Sequence, residues 1–152
     1  MTPPASSSSS EALRIDARTQ VAYVQALVRT LAVGIGFSTR DEWAIATAVS
    51  EAVTNIVKFA GTGTLTVRIL AGDPPGLEFV AADQGPGMAD VASALRDGVS
   101  EGVDLDANPA PGPRRGRGSG CGAMRRLMDE LEVRAAPGVG TVVTGRKWLR
   151  TR

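Results

Sequence analysis

The chain contains no histidine. That absence removes serine–histidine and cysteine–histidine catalysis and every histidine-based metal site. It also removes a histidine kinase that carries its own phospho-acceptor. Acid–base chemistry is left to a carboxylate, a lysine or a tyrosine. There is one cysteine, Cys121, so no disulfide can form within the chain. No apolar run approaches the length of a membrane span, which argues against membrane insertion. The first ten residues, MTPPASSSSS, lack the charged start and apolar centre of a signal peptide. They read as a disordered tail, and the expected location is the cytoplasm. A formal net charge of +1 gives no bulk attraction for nucleic acid.

The 152 residues suit one domain, expected over 11–152. A chain of this size buries about 70% of its unfolded surface, enough for a core. Residues 13–15 start a short strand. From Ala17 to about Val33, the apolar positions Val21, Val24, Leu27, Val28 and Leu31 recur at helical spacing, and Gly34 and Gly36 end the run. Thr39 and Glu42 then form a capping box for a helix over about 40–60, stopped by Gly61 and Gly63. Residues 64–70 and 77–82 alternate as the arms of a hairpin around GDPPG. A short helix follows the DQGPG turn through Leu95. Residues 98–118, with five glycines and three prolines, form a long loop. A helix over about 120–130 turns Met124, Leu127, Met128 and Leu131 inward, and residues 132–136 and 141–148 close the chain as a second hairpin. This order specifies an α+β two-layer sandwich, with helices on one face of a mixed sheet.

Three stretches carry chemistry. On an ideal helix Ile45, Val49, Val53, Ile56, Val57 and Ala60 share one face, and Glu51, Asn55 and Lys58 fall within an arc of about 60° opposite. The stripe reads either as a solvated face or as a site. A carboxylate and an amide carbonyl one turn apart suit Mg²⁺ that keeps waters and phosphates, and a lysine one turn on reaches a phosphate. Asp83 ends a strand just before Gly85 and Gly87. It is either an ordinary Asx turn or a carboxylate that accepts from the exocyclic amine of adenine. The third stretch is GRGSGCG, with glycine at positions 116, 118, 120 and 122. It is not a P-loop, because neither lysine precedes a serine or threonine. It is not a dinucleotide fingerprint, because the proline-rich PAPGPRRGR precedes it where a strand is required. A glycine-rich loop that opens a helix presents backbone N–H groups to a phosphate.

Taken in order, E-x-x-x-N on a helix, D-x-G-x-G after a strand and G-x-G-x-G before a later helix resemble the Bergerat ATP-binding fold of gyrase, Hsp90, histidine kinases and MutL. Glu51 and Asn55 match the N box, and Lys58 the lysine that often follows it. Asp83, Gly85 and Gly87 match the first glycine box. Gly116, Gly118 and Gly120 match the second, and Gly140-Thr141 a late Gly-Thr near the adenine. A lone domain of this length is similar to the anti-sigma-factor serine/threonine kinases, most of all to stressosome switch kinases. The stretches that carry this are SEAVTNIVKFAGTG, ADQGPG, LRDGVS, RRLMDELEV and GRKWLR.

The resemblance implies an ATP- and Mg-dependent protein serine/threonine kinase in a partner-switching stress pathway. Its substrate would be a STAS-domain antagonist or scaffold protein, with a sigma factor or a downstream phosphatase as further partners, and no nucleic acid or membrane. Glu51 is the expected base. Asn55 would hold the metal, Lys58 a phosphate, and Asp83 with Thr141 the adenine. Gly85, Gly87 and the glycines at 116–122 would line the nucleotide. Residues 98–118 would be the ATP lid, within which 101–115 look like an insertion whose arginines, Arg114 and Arg115, have no assigned role; nor has Arg117. The competing reading is an anti-sigma factor that sequesters its target, with ATP as a structural ligand.

Overall fold

The computed structural model describes residues 10–85, 99–100, 103–104, 121–136 and 138–150. Strand β1 (Ser10–Ile15) leads into helices α1 (Gln20–Ile35) and α2 (Thr39–Asn55), and a π-helical turn (Ile56–Ala60) extends α2. Strands β2 (Gly63–Leu70) and β3 (Gly76–Asp83) form the expected hairpin. A two-residue ladder joins β4 (Val99–Ser100) to β5 (Val103–Asp104) inside the stretch that reads as loop. Helix α3 (Cys121–Leu127) and the hairpin of β6 (Glu130–Ala136) and β7 (Gly140–Trp148) complete the described chain. The helix expected after DQGPG lies outside the described residues.

The α+β architecture stands, with four changes of detail. The main sheet runs β1-β2-β3-β7-β6, and each of its pairings among the described residues is antiparallel rather than mixed. The capping box at Thr39 is not used. Ser38 is the N-cap instead, its hydroxyl accepting from the Asp41 N–H at 3.2 Å. Glu42 turns away to accept from Arg29 Nε at 2.7 Å, and the Arg29 guanidinium stacks on Trp43. Gly34 is helical, and the stop is Gly36, whose φ of 110° closes α1 with hydrogen bonds to Ala32 and Val33. Leu131 belongs to β6 rather than to the preceding helix.

The core lies between the helices and one sheet face. Val24 and Val28 from α1, Ile45, Val49 and Val53 from α2, and Met124 from α3 meet Leu65, Val67, Leu77 and Phe79. All are fully or almost fully buried, so apolar transfer out of water holds the two layers together. The outer sheet face carries a cross-strand ion ladder. Glu78, buried in mid-sheet, accepts from Arg68 Nε at 2.7 Å and Arg146 Nε at 2.6 Å, and Arg146 reaches Glu130 at 3.3 Å. Burial alone would push the Glu78 carboxyl up. The two guanidiniums outweigh it and hold the carboxyl below its usual value. No helix among the described residues is long and apolar enough to cross a membrane.

Candidate functional site

Helix α2 is packed on more than one side. Besides the expected Ile45, Val49 and Val53, it buries Ala46, Ala48 and Ala52 against its neighbours. What remains is a narrow strip in which Glu51, Thr54 and Asn55 are half-buried and Thr47 is exposed. A freely solvated face would expose all four. Glu51 and Asn55 stand one turn apart, as the spacing requires.

Lys58 departs from the ideal-helix placement. After Asn55 the backbone widens into the π turn, where the Gly61 N–H bonds the Ile56 carbonyl at 2.9 Å. The wider turn rotates Lys58 relative to the Glu51–Asn55 line. Its ammonium stands 5.0 Å from the Phe59 ring centroid. The same turn sets Ile56 beside Gly63 and Ala60 beside Gly85. The residues themselves are spaced as for an α-helix, so nothing in their pattern announces the wider turn.

Asp83 is the last residue of β3. The register pairs it with Gly63 on β2 and Thr141 on β7, and Thr141 is in turn opposite Ala135 on β6. Strand parity points these residues toward the helices. Thr141 is buried, and the Gly85 N–H donates to Asp83 Oδ1 at 2.9 Å. Two glycines shape the surroundings. A Cβ at Gly63 would lie 2.8 Å from Ile56 Cγ2 and 3.2 Å from Asp83 Cβ. Gly140 has φ 146°, and a Cβ there would strike the Asp83 carbonyl oxygen. Asp83 therefore sits among small residues and close backbone, with Oδ1 held in an Asx turn by the Gly85 N–H. A cleft of about 430 Å³ opens at the same end of the sheet, lined by Arg14, Thr62, Gly63, Thr64, Ala82, Asp83 and Gln84.

Gly122 is the second residue of α3 and is buried. Gly87, Gly116, Gly118 and Gly120 lie outside the described residues, as do Arg114, Arg115 and Arg117. The structure thus brings Asp83, Gly85 and Thr141 together, and sets Glu51 and Asn55 on one strip of α2. Two residues escaped the sequence reading. Gly63 looked like a helix stop. Lys147 sits in an alternating strand whose inner face reads as apolar.

The donor set fits a magnesium nucleotide. No cluster of three acidic, cysteine or histidine side chains able to hold a metal occurs among the described residues. Mg²⁺ needs no such cage when phosphates and waters supply most ligands, and the half-buried Asn55 offers one carbonyl oxygen.

Comparison with known proteins agrees with this architecture. Residues 15–147 match the family described as the histidine kinase-like ATPase domain. The chain is 34% identical over 139 residues to the serine/threonine-protein kinase RsbT of Bacillus subtilis (strain 168), covering 91% of this chain and 96% of that one. It is 33% identical over 108 residues to the anti-sigma F factor of Caldanaerobacter subterraneus subsp. tengcongensis, covering 69% of this chain and 68% of the relative. A crystal structure of the RsbU and RsbW domains of a Mycobacterium tuberculosis protein is alike with a TM-score of 0.58 at 20% identity. That likeness covers 93% of this chain and 33% of the larger one, and it bears on the fold alone.

The chain therefore belongs to the histidine kinase-like ATPase domain family. Within it, the chain is a serine/threonine-protein kinase of the partner-switching group that includes anti-sigma factors, and it uses ATP.

Proposed function

We propose that this kinase transfers the γ-phosphoryl group of ATP to a serine or threonine hydroxyl of a STAS-domain regulator in a sigma-factor partner-switching pathway. The observation that carries the reading is the cross-strand pairing of Asp83 with buried Thr141, together with the half-buried Glu51–Asn55 strip on α2. Asp83 would accept from the adenine amine, with Thr141 alongside. Gly85, Gly87 and the glycines at 116, 118, 120 and 122 would let backbone approach the nucleotide. Lys58 would meet a phosphate.

The bond that forms joins the substrate oxygen to the γ-phosphorus, and the bond that breaks joins that phosphorus to the β–γ bridging oxygen. Such transfer is mostly positioning and charge neutralisation. Mg²⁺, held by Asn55 and phosphate oxygens, would neutralise charge on the phosphates. Glu51 would orient the attacking hydroxyl and take its proton, the role that the lack of histidine leaves to a carboxylate.

Incubation with γ-labelled ATP, Mg²⁺ and the STAS proteins of the same cell tests the reading. Label on a serine or threonine of one of them supports it. The similarity to anti-sigma F factors favours one alternative, sequestration of a sigma factor with ATP as structural ligand. Stable co-purification with a sigma factor, and no label on any STAS protein, would establish that alternative instead.

A further inference from the structure

Lys147 is 4% exposed, and its side chain points from β7 into the helix-covered face opposite Leu77. An apolar residue would satisfy that position, whereas burying an ammonium carries a desolvation cost that only good partners offset. The partners come from three places. Nζ donates to the Leu127 carbonyl, the last residue of α3, at 2.8 Å. It stands 3.6 Å from Asp129 Oδ1 and 3.9 Å from Asp41 Oδ1 in the first turn of α2. Asp129 is itself fixed, its second oxygen accepting the Trp148 N–H at 2.9 Å and its own N–H donating to the Arg146 carbonyl at 3.0 Å. One buried cation thus ties the start of α2, the end of α3 and the end of β7.

We propose that Lys147 is a positioning residue for the kinase reaction, setting α3 against α2 so that Gly122 and Asn55 keep the separation that MgATP requires. The inference rests on the assignment of those two residues to the nucleotide. Removing Lys147 alone leaves Asp41, Asp129 and the Leu127 carbonyl without their cation, and breaking a buried pair in this way costs stability. A residue kept for stability alone would give a Lys147→Met protein that melts lower yet, where folded, binds and uses ATP as the parent does.

The test compares the full-length parent with Lys147→Met and Asp129→Asn, measuring melting temperature, ATP affinity by calorimetry, and KM and kcat of phosphoryl transfer. The inference predicts Lys147→Met with a lowered melting temperature and, in the folded protein at assay temperature, a KM for ATP raised about tenfold and kcat within about twofold. Asp129→Asn keeps an acceptor for the Trp148 N–H but loses the charge beside Lys147, and should raise KM about threefold. If Lys147→Met does not fold, the Asp129→Asn result decides. Parental KM in a folded variant, or a fall in kcat at constant KM, overturns the inference. Failure of the parent protein to bind ATP instead overturns the nucleotide assignment on which it rests.

Discussion

Asp83 and Thr141 are cross-strand partners on β3 and β7, turned toward the helix layer, with Gly63 completing the row on the other side of Asp83. The arrangement sets a carboxylate beside a buried hydroxyl, with no bulky side chain from the flanking strand. The proposed partner of that carboxylate is a base bearing an exocyclic amine, because the carboxylate offers only acceptors. Asp83→Asn should weaken ATP binding at least about tenfold by calorimetry. Inosine triphosphate, with an acceptor where ATP has the amine, should lose less affinity to the same substitution. Equal losses for both nucleotides would remove the adenine contact from the account.

Gly140 makes the Asp83–Thr141 pairing possible. Its φ of 146° disfavours any side chain, and a Cβ would meet the Asp83 carbonyl oxygen and lie 3.0 Å from Gln84 Cα. Gly140→Ala is predicted to cost about 2–3 kcal/mol of stability in urea unfolding. It should also weaken ATP binding, since the clash displaces the end of β3. An alanine variant as stable as the parent would mean that the two strand ends are not in close contact.

The Glu78 ladder predicts an acid limb to stability. Its carboxyl titrates below the ordinary value of 4.5 in the folded chain because Arg68 and Arg146 outweigh burial. A carboxylate with a lowered folded value contributes its full stabilisation above the unfolded value and loses it as pH falls through the folded one. Glu78→Gln should therefore cost about 1–2 kcal/mol at neutral pH, reduced from a fully buried pair because both guanidiniums are partly exposed. The gap between parent and variant should narrow only once the pH drops below 4.5. Denaturant titrations at several pH values check this, and a gap that persists unchanged into strong acid would contradict it.

Much of the fold was legible because apolar periodicity is local. The hairpin of β2 and β3, the buried line Ile45–Val49–Val53 and the inward Met124 follow directly from spacing. What escaped was set by tertiary contact. Glu42 could cap its own helix, but Arg29 on the neighbouring helix takes its carboxylate, and Ser38 caps instead. The π turn depends on how Ile56 and Ala60 dock on Gly63 and Gly85, contacts distant in the pattern. Gly63 is a plausible helix stop in sequence, and only strand register shows that it flanks Asp83. Lys147 was hidden for the same reason, since its partners Asp41, Leu127 and Asp129 come from separate elements.

In the proposed mechanism Glu51 serves the chemistry while Asp83 serves nucleotide binding. Single-turnover transfer of label from γ-labelled ATP to a STAS partner, run beside calorimetric ATP binding with Mg²⁺, tests it most directly in the Glu51→Ala protein. ATP affinity should stay within about threefold of the parent while the transfer rate falls at least about a hundredfold, the usual scale of a general base. Transfer at the parental rate by Glu51→Ala would contradict it.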